Sequence, residues 1–128
     1  SLQAESPLQK PEIETRLQVA RKLAMQHPES AILYAWSLVE ATLRLVAEHE
    51  RMSLQRLDPL YLVKQLMTEG VISRPEYQLL IDGLSLRNAI AHGFKANQVT
   101  KGSVYQLIDL TELLLKTLQM STEADQLC

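Results

Sequence analysis

The stretch that decides the fold is "SAILYAWSLVEATLRLVAEHE", residues 30–50. At about 100° per residue, Ile32, Trp36, Val39, Leu43 and Val46 fall on one broad apolar face. Tyr34, Leu38 and Leu45 form a second. Between the two runs a narrow polar strip of Ser37, Glu40, Arg44 and Glu48. A helix that is apolar on two sides belongs at the centre of a bundle or within an oligomer. Both are predicted here.

Helix punctuation lies on either side of this segment. Pro11 opens a helix with Glu12 and Glu14 in its first turn, where they complement the helix dipole, and Pro28 ends it after His27. Downstream, Asp58 and Pro59 are an N-cap and first helical residue, and Gly70 is a stop. Ser73 with Glu76 three residues later forms a capping box, opening a helix that runs to Gly93. Ser103 with Gln106 suggests the cap of a final helix striped by Leu107, Leu110, Leu114 and Leu118. The reading is all-α: an antiparallel bundle of about five helices over residues 11–120. A flexible leader covers 1–10 and a frayed tail 121–128.

Composition agrees and narrows the function classes. The 128 residues suit one domain, and 46% hydrophobic with 22% charged is ordinary for a globular chain. A net charge of −2 gives no global footprint for nucleic acid. Locally, residues 83–108 contain no Asp or Glu while carrying Arg87, His92, Lys95 and Lys101. The single cysteine, Cys128, supplies neither a disulfide framework nor a zinc constellation. No uninterrupted apolar run approaches the roughly 18 residues of a membrane span. The expectation is a cytoplasmic chain without metal, cofactor or membrane contact. Walker, dinucleotide-binding and HExxH motifs are absent.

The chemistry-bearing stretch is "LRNAIAHGF", residues 86–94. With Leu80 at 0°, the apolar residues of this helix span an arc from about 240° through 0° to 100°, and Arg87 falls inside it near 340°. Asn88 and His92, at about 80° and 120°, lie along one edge. Arginine keeps its proton, and burying it unpaired costs several kcal/mol. It must therefore meet a carboxylate, face a wet cleft or await an anion. Asn88 and His92 are one turn apart, so the amide is placed to orient the imidazole.

"RNAIAH" resembles the Arg-x4–6-His motif of HEPN domains at its shortest spacing, with Asn88 matching the preferred polar residue after the arginine. "ILYAWSLVEATLR" also resembles the long second helix of several HEPN groups, in which Glu40 would sit beside the motif. The resemblance covers roughly residues 11–120. It implies a homodimer with a composite cleft, and metal-independent, toxin-like endoribonuclease activity with Arg87, Asn88 and His92 as the site. Elementary chemistry is compatible with this. RNA carries its own 2′-OH nucleophile, histidine can pass the proton, and arginine's planar fork suits phosphate oxygens. Phe94, Lys95 and Lys101 would hold the backbone and stack a base.

Other HEPN domains keep the bundle without the chemistry, as nucleotide-binding or adaptor modules of larger proteins, and some of the enzymes are held inactive by a regulatory partner. On that alternative Arg87 forms an ion-pair lock with Glu40. Glu40 can instead pair locally with Arg44, four residues on, a contact of about 0.3–0.5 kcal/mol. Gly93 can be no more than a C-cap, and His92 a helix-terminal histidine favoured by the dipole.

Overall fold

The computed structural model describes residues 6–53 and 58–127, with side chains described as far as Leu118. Five helices follow one another: α1 Lys10–Gln26, α2 Pro28–His49, α3 Pro59–Thr68, α4 Arg74–Ala91 and α5 Lys101–Leu127. No strand occurs among the described residues. The protein is an all-α helical bundle.

α2 is its centre. It packs against all four other helices. Ala31, Ile32, Ala35, Trp36, Leu38, Val39, Leu43, Val46 and Ala47 are buried, while the predicted polar strip keeps Ser37, Arg44 and Glu48 exposed. The small residues in this set let neighbouring backbones approach, and the large ones fill the space between. Mean hydropathy over an 18-residue window of α2 reaches 1.3, so by length and composition it could cross a bilayer. The apolar runs are interrupted, but Ala, Leu, Ile and Val outweigh the few polar residues in the average. More than half of the window, 56%, is buried in the bundle.

Local signals set most of the boundaries. α1 begins one residue before the predicted Pro11, because the Gln9 N–H donates to the Glu12 carboxylate at 3.1 Å and closes the first turn. His27 alone separates α1 from α2, receiving a bond from the Ala31 N–H and donating to the Leu23 carbonyl. The Asp58 carboxylate accepts from the Tyr61 N–H at 3.0 Å, capping α3 as predicted. Ser73 and Glu76 form the predicted reciprocal box at α4.

α2, α3 and α4 all end in the same Schellman closure. At α4, Phe94 N–H reaches the Ala89 carbonyl and Gly93 N–H that of Ile90, with Gly93 at φ +85°. Gly70 does the same at α3 with φ +76°. At α2 the left-handed position is held by Arg51, φ +54°, a conformation costing a side-chain-bearing residue roughly 1 kcal/mol or more.

Both ends of α5 also differ from the sequence reading. α5 starts at Lys101 rather than after Ser103, since Thr100 is the cap: its hydroxyl accepts from the Ser103 N–H at 3.2 Å. Ser103 answers by accepting from the Thr100 N–H at 2.8 Å. α5 also continues through residues 121–127, predicted to fray; after Gly102 the chain has neither Gly nor Pro to stop it. At the other end of the chain, Leu8 is half-buried against the core, while residues 6, 7 and 9 are exposed.

Candidate functional site

Helix α4 carries the predicted site, and its packing differs sharply from that of α2. Its apolar residues were predicted to form a buried stripe, yet only Leu80 and Gly83 are buried. Leu79, Ile81, Leu84, Leu86, Ala89 and Ile90 are half-buried, touching the core from its edge. Contact with α5 is close at Gly83, where an added Cβ would come within 2.8 Å of a Leu107 methyl. The helix therefore lies tight against the bundle at its middle. At its end, Ala91 and His92 are exposed.

Arg87 lies in that last stretch, half-buried. Its Nη1 donates to the side-chain oxygen of Asn88 at 2.9 Å. Among the described residues it pairs with no carboxylate. Glu40, predicted to support it, is engaged within α2. One oxygen accepts from the indole N–H of buried Trp36 at 2.8 Å, and the other lies 3.4 Å from Arg44. The local pair is favoured because both partners sit one turn away on the same helix.

Asn88 touches both neighbours in a different way from the one predicted. Its side-chain oxygen goes to Arg87 rather than to the imidazole, and its carbonyl accepts the His92 backbone N–H at 3.0 Å. His92 is the C-cap of α4, at φ −95° and ψ 10°, with its ring exposed. No side-chain hydrogen bond fixes that ring among the described residues. Gly93, the next residue, takes the left-handed conformation that closes the helix, and this closure is what presents His92 at the surface. The two assignments of "HGF", capping and site, are compatible.

The loop that follows is anchored by residues the sequence reading passed over. Ala96 and Val99 are each 7% exposed, and hold residues 92–100 against the core. Between the helix end and that anchor, Phe94 stands 69% exposed with Lys95 beside it. Lys101 lies elsewhere in role: its Nζ sits 5.9 Å from the centroid of the Tyr105 ring, one turn along α5.

Tyr105 belongs to a clasp between α1 and α5. The Arg21 guanidinium lies 5.4 Å from its ring centroid and bridges the carboxylates of Asp109, at 2.5 Å, and Glu112. The hydrogen bond that Arg21 donates to Asp109 chiefly holds the Arg21 pKa above its ordinary value, against a smaller opposing effect of burial. Asp109 and Glu112 are three apart on one helix face, a paired-carboxylate signal visible in sequence; their partner, about ninety residues away, is not.

Among the described residues no group of three or more His, Cys, Asp and Glu could hold a metal ion. The chain matches no family model, no curated protein and no solved structure. The functional reading therefore rests on the residues themselves.

Proposed function

We propose that this bundle is a HEPN-like RNA-binding protein that acts as a metal-independent endoribonuclease, with two copies forming one cleft around the ends of their α4 helices. The observation that supports this reading is Arg87: a half-buried guanidinium, held by the Asn88 side chain, with donors claimed by no carboxylate among the described residues. A fixed cation of this kind suits an anion of planar, bidentate geometry, and phosphate oxygens fit. Exposed His92, one turn from Asn88, supplies an imidazole able to accept or donate a proton. Phe94 and Lys95 project from the same helix end and can stack a base and meet the backbone.

In the proposed reaction the 2′-oxygen attacks the adjacent phosphorus while one imidazole takes its proton. The phosphorus–O5′ bond breaks, and the departing oxygen takes a proton from the imidazolium of the other copy. Arg87 bears the charge that develops on the phosphorane oxygens. The products are a 2′,3′-cyclic phosphate and a free 5′-OH. The half-buried apolar row of α4 favours a second copy as cover, which brings two arginines and two histidines to one cleft.

The same apolar row also suits a non-catalytic dimerisation or adaptor module. An Arg87–Glu40 lock is not part of that alternative, since Glu40 is engaged by Trp36 and Arg44. The deciding experiment uses labelled single-stranded and structured RNA with chelator present. Wild-type protein is expected to leave cyclic-phosphate ends, and His92→Ala, with an unchanged melt and mass, to lose about 100-fold or more in rate. Uncut RNA, or cutting indifferent to His92→Ala, refutes the enzyme reading.

A further inference from the structure

At the opposite end of α4 from Arg87, the closing turns of α2 and α3 meet the middle of α5 around an open cleft of about 370 Å³. Its apolar lining includes Val46, Val71, Leu113 and Leu114. Leu113 is 53% exposed, an aliphatic side chain with nothing over it from the described residues. Glu50, Glu69 and Glu76 contribute carboxylates to the lining beside His49, and no Lys or Arg lines it among the described residues. Two helix C-termini add to this, each carrying about half a negative charge at its end. Glu76 is held in place by the Ser73 N–H at 2.7 Å, and Glu50 and Glu69 are the C-caps of α2 and α3.

We infer that this cleft docks a basic amphipathic segment of a partner protein. Apolar side chains would enter against Leu113 and Val71, and Lys or Arg would meet the three carboxylates. An apolar floor with a polar rim is how grooves take an amphipathic helix, and the acidic rim selects a cationic one. An acidic or neutral segment would leave the carboxylates facing like charge or no partner, so the rim discriminates as well as attracts. Glu76 is eleven residues from Arg87, about 16 Å along the helix at 1.5 Å per residue, so this site is separate from the candidate RNA site. The inference stands whether or not the protein cleaves RNA.

The test uses a short amidated helical peptide of leucine and lysine, with a leucine–glutamate peptide of identical apolar spacing as its counterpart. Binding is read by fluorescence anisotropy, and the location by amide chemical-shift changes. The lysine peptide is expected to bind saturably, with shifts centred on Val71 and Leu113, and the glutamate peptide is expected not to bind. Glu50→Gln with Glu69→Gln should weaken the lysine peptide about tenfold. Glu14→Gln with Glu29→Gln, which removes the same charge elsewhere, should leave it unchanged. Equal loss in both pairs, shifts away from the cleft, or binding of the glutamate peptide overturns the proposal. So does self-association of the protein alone that is abolished by Glu50→Gln with Glu69→Gln, because the occupant would then be a second copy.

Discussion

Two half-buried arginines divide this molecule between stability and availability. Arg21 joins α1 to α5, with two carboxylates on its guanidinium and an aromatic ring beside it. Arg87 has one neutral amide, from the residue next to it in sequence. A partly desolvated guanidinium is stabilised chiefly by opposite charge. Arg21 has that charge within the fold, whereas Arg87 leaves it to come from elsewhere. Burial alone does not separate the two; the difference is that Arg21 has its counter-charge within the fold and Arg87 has none among the described residues.

The sharpest way to break this comparison is to remove each arginine in turn. Arg87→Ala is expected to lower RNA cleavage by about 100-fold, comparable to loss of one preorganised transition-state donor, with the melt nearly unmoved. A large drop in melting temperature with no change in cleavage would make Arg87 structural and cancel the contrast. Arg21→Ala should do the reverse. It is expected to cost about 1–2 kcal/mol in denaturant titration, a value limited by the exposure of Asp109, and to leave cleavage intact.

The pH dependence sharpens the same point. Because the folded pKa of Arg21 is raised, its contribution is complete below the ordinary arginine value and lost only in strong alkali. Titration of Arg21 therefore adds no difference between wild type and Arg21→Ala across pH 6–9. Denaturant titrations of the two proteins at those pH values check it.

A third arginine gives a smaller effect of opposite sign. Arg51 occupies the left-handed position that Gly70 and Gly93 take at the other two Schellman closures. Arg51→Gly is expected to raise stability by up to about 1 kcal/mol, the relief of that conformation less the added freedom of the unfolded chain. The smallest expected effect is a coupling. In a double-mutant cycle, Glu40→Gln and Arg87→Ala should be additive within about 0.5 kcal/mol, since no contact joins them. A coupling beyond about 1 kcal/mol would restore the ion-pair lock.

Much of this was legible in one dimension wherever the cause is local. The α2 stripe placed Trp36, Val39 and Leu43 in the core, and Asp58, Ser73, Gly70 and Gly93 marked the ends of α3 and α4. The α5 cap was misplaced because Ser103 fits two boxes, as cap to Gln106 or as third residue to Thr100; only the hydrogen bonds separate them. The candidate site was legible as residue types but not as contacts. Asn88 faces both ways along its helix, and periodicity cannot say that its side chain chooses Arg87 over His92.

By itself, then, the sequence determined the number of helices, most of their ends and the identity of the central one. Caps, prolines and a 3.6-residue period act within a few residues of where they are written. The tertiary structure alone decided that α4 lies at the edge, that Arg21 closes on Asp109 and Glu112, and that an acidic apolar cleft opens where α2, α3 and α5 meet. Those outcomes depend on which helix faces which. That choice is made by volume and charge brought together from distant parts of the chain, and it leaves no local mark.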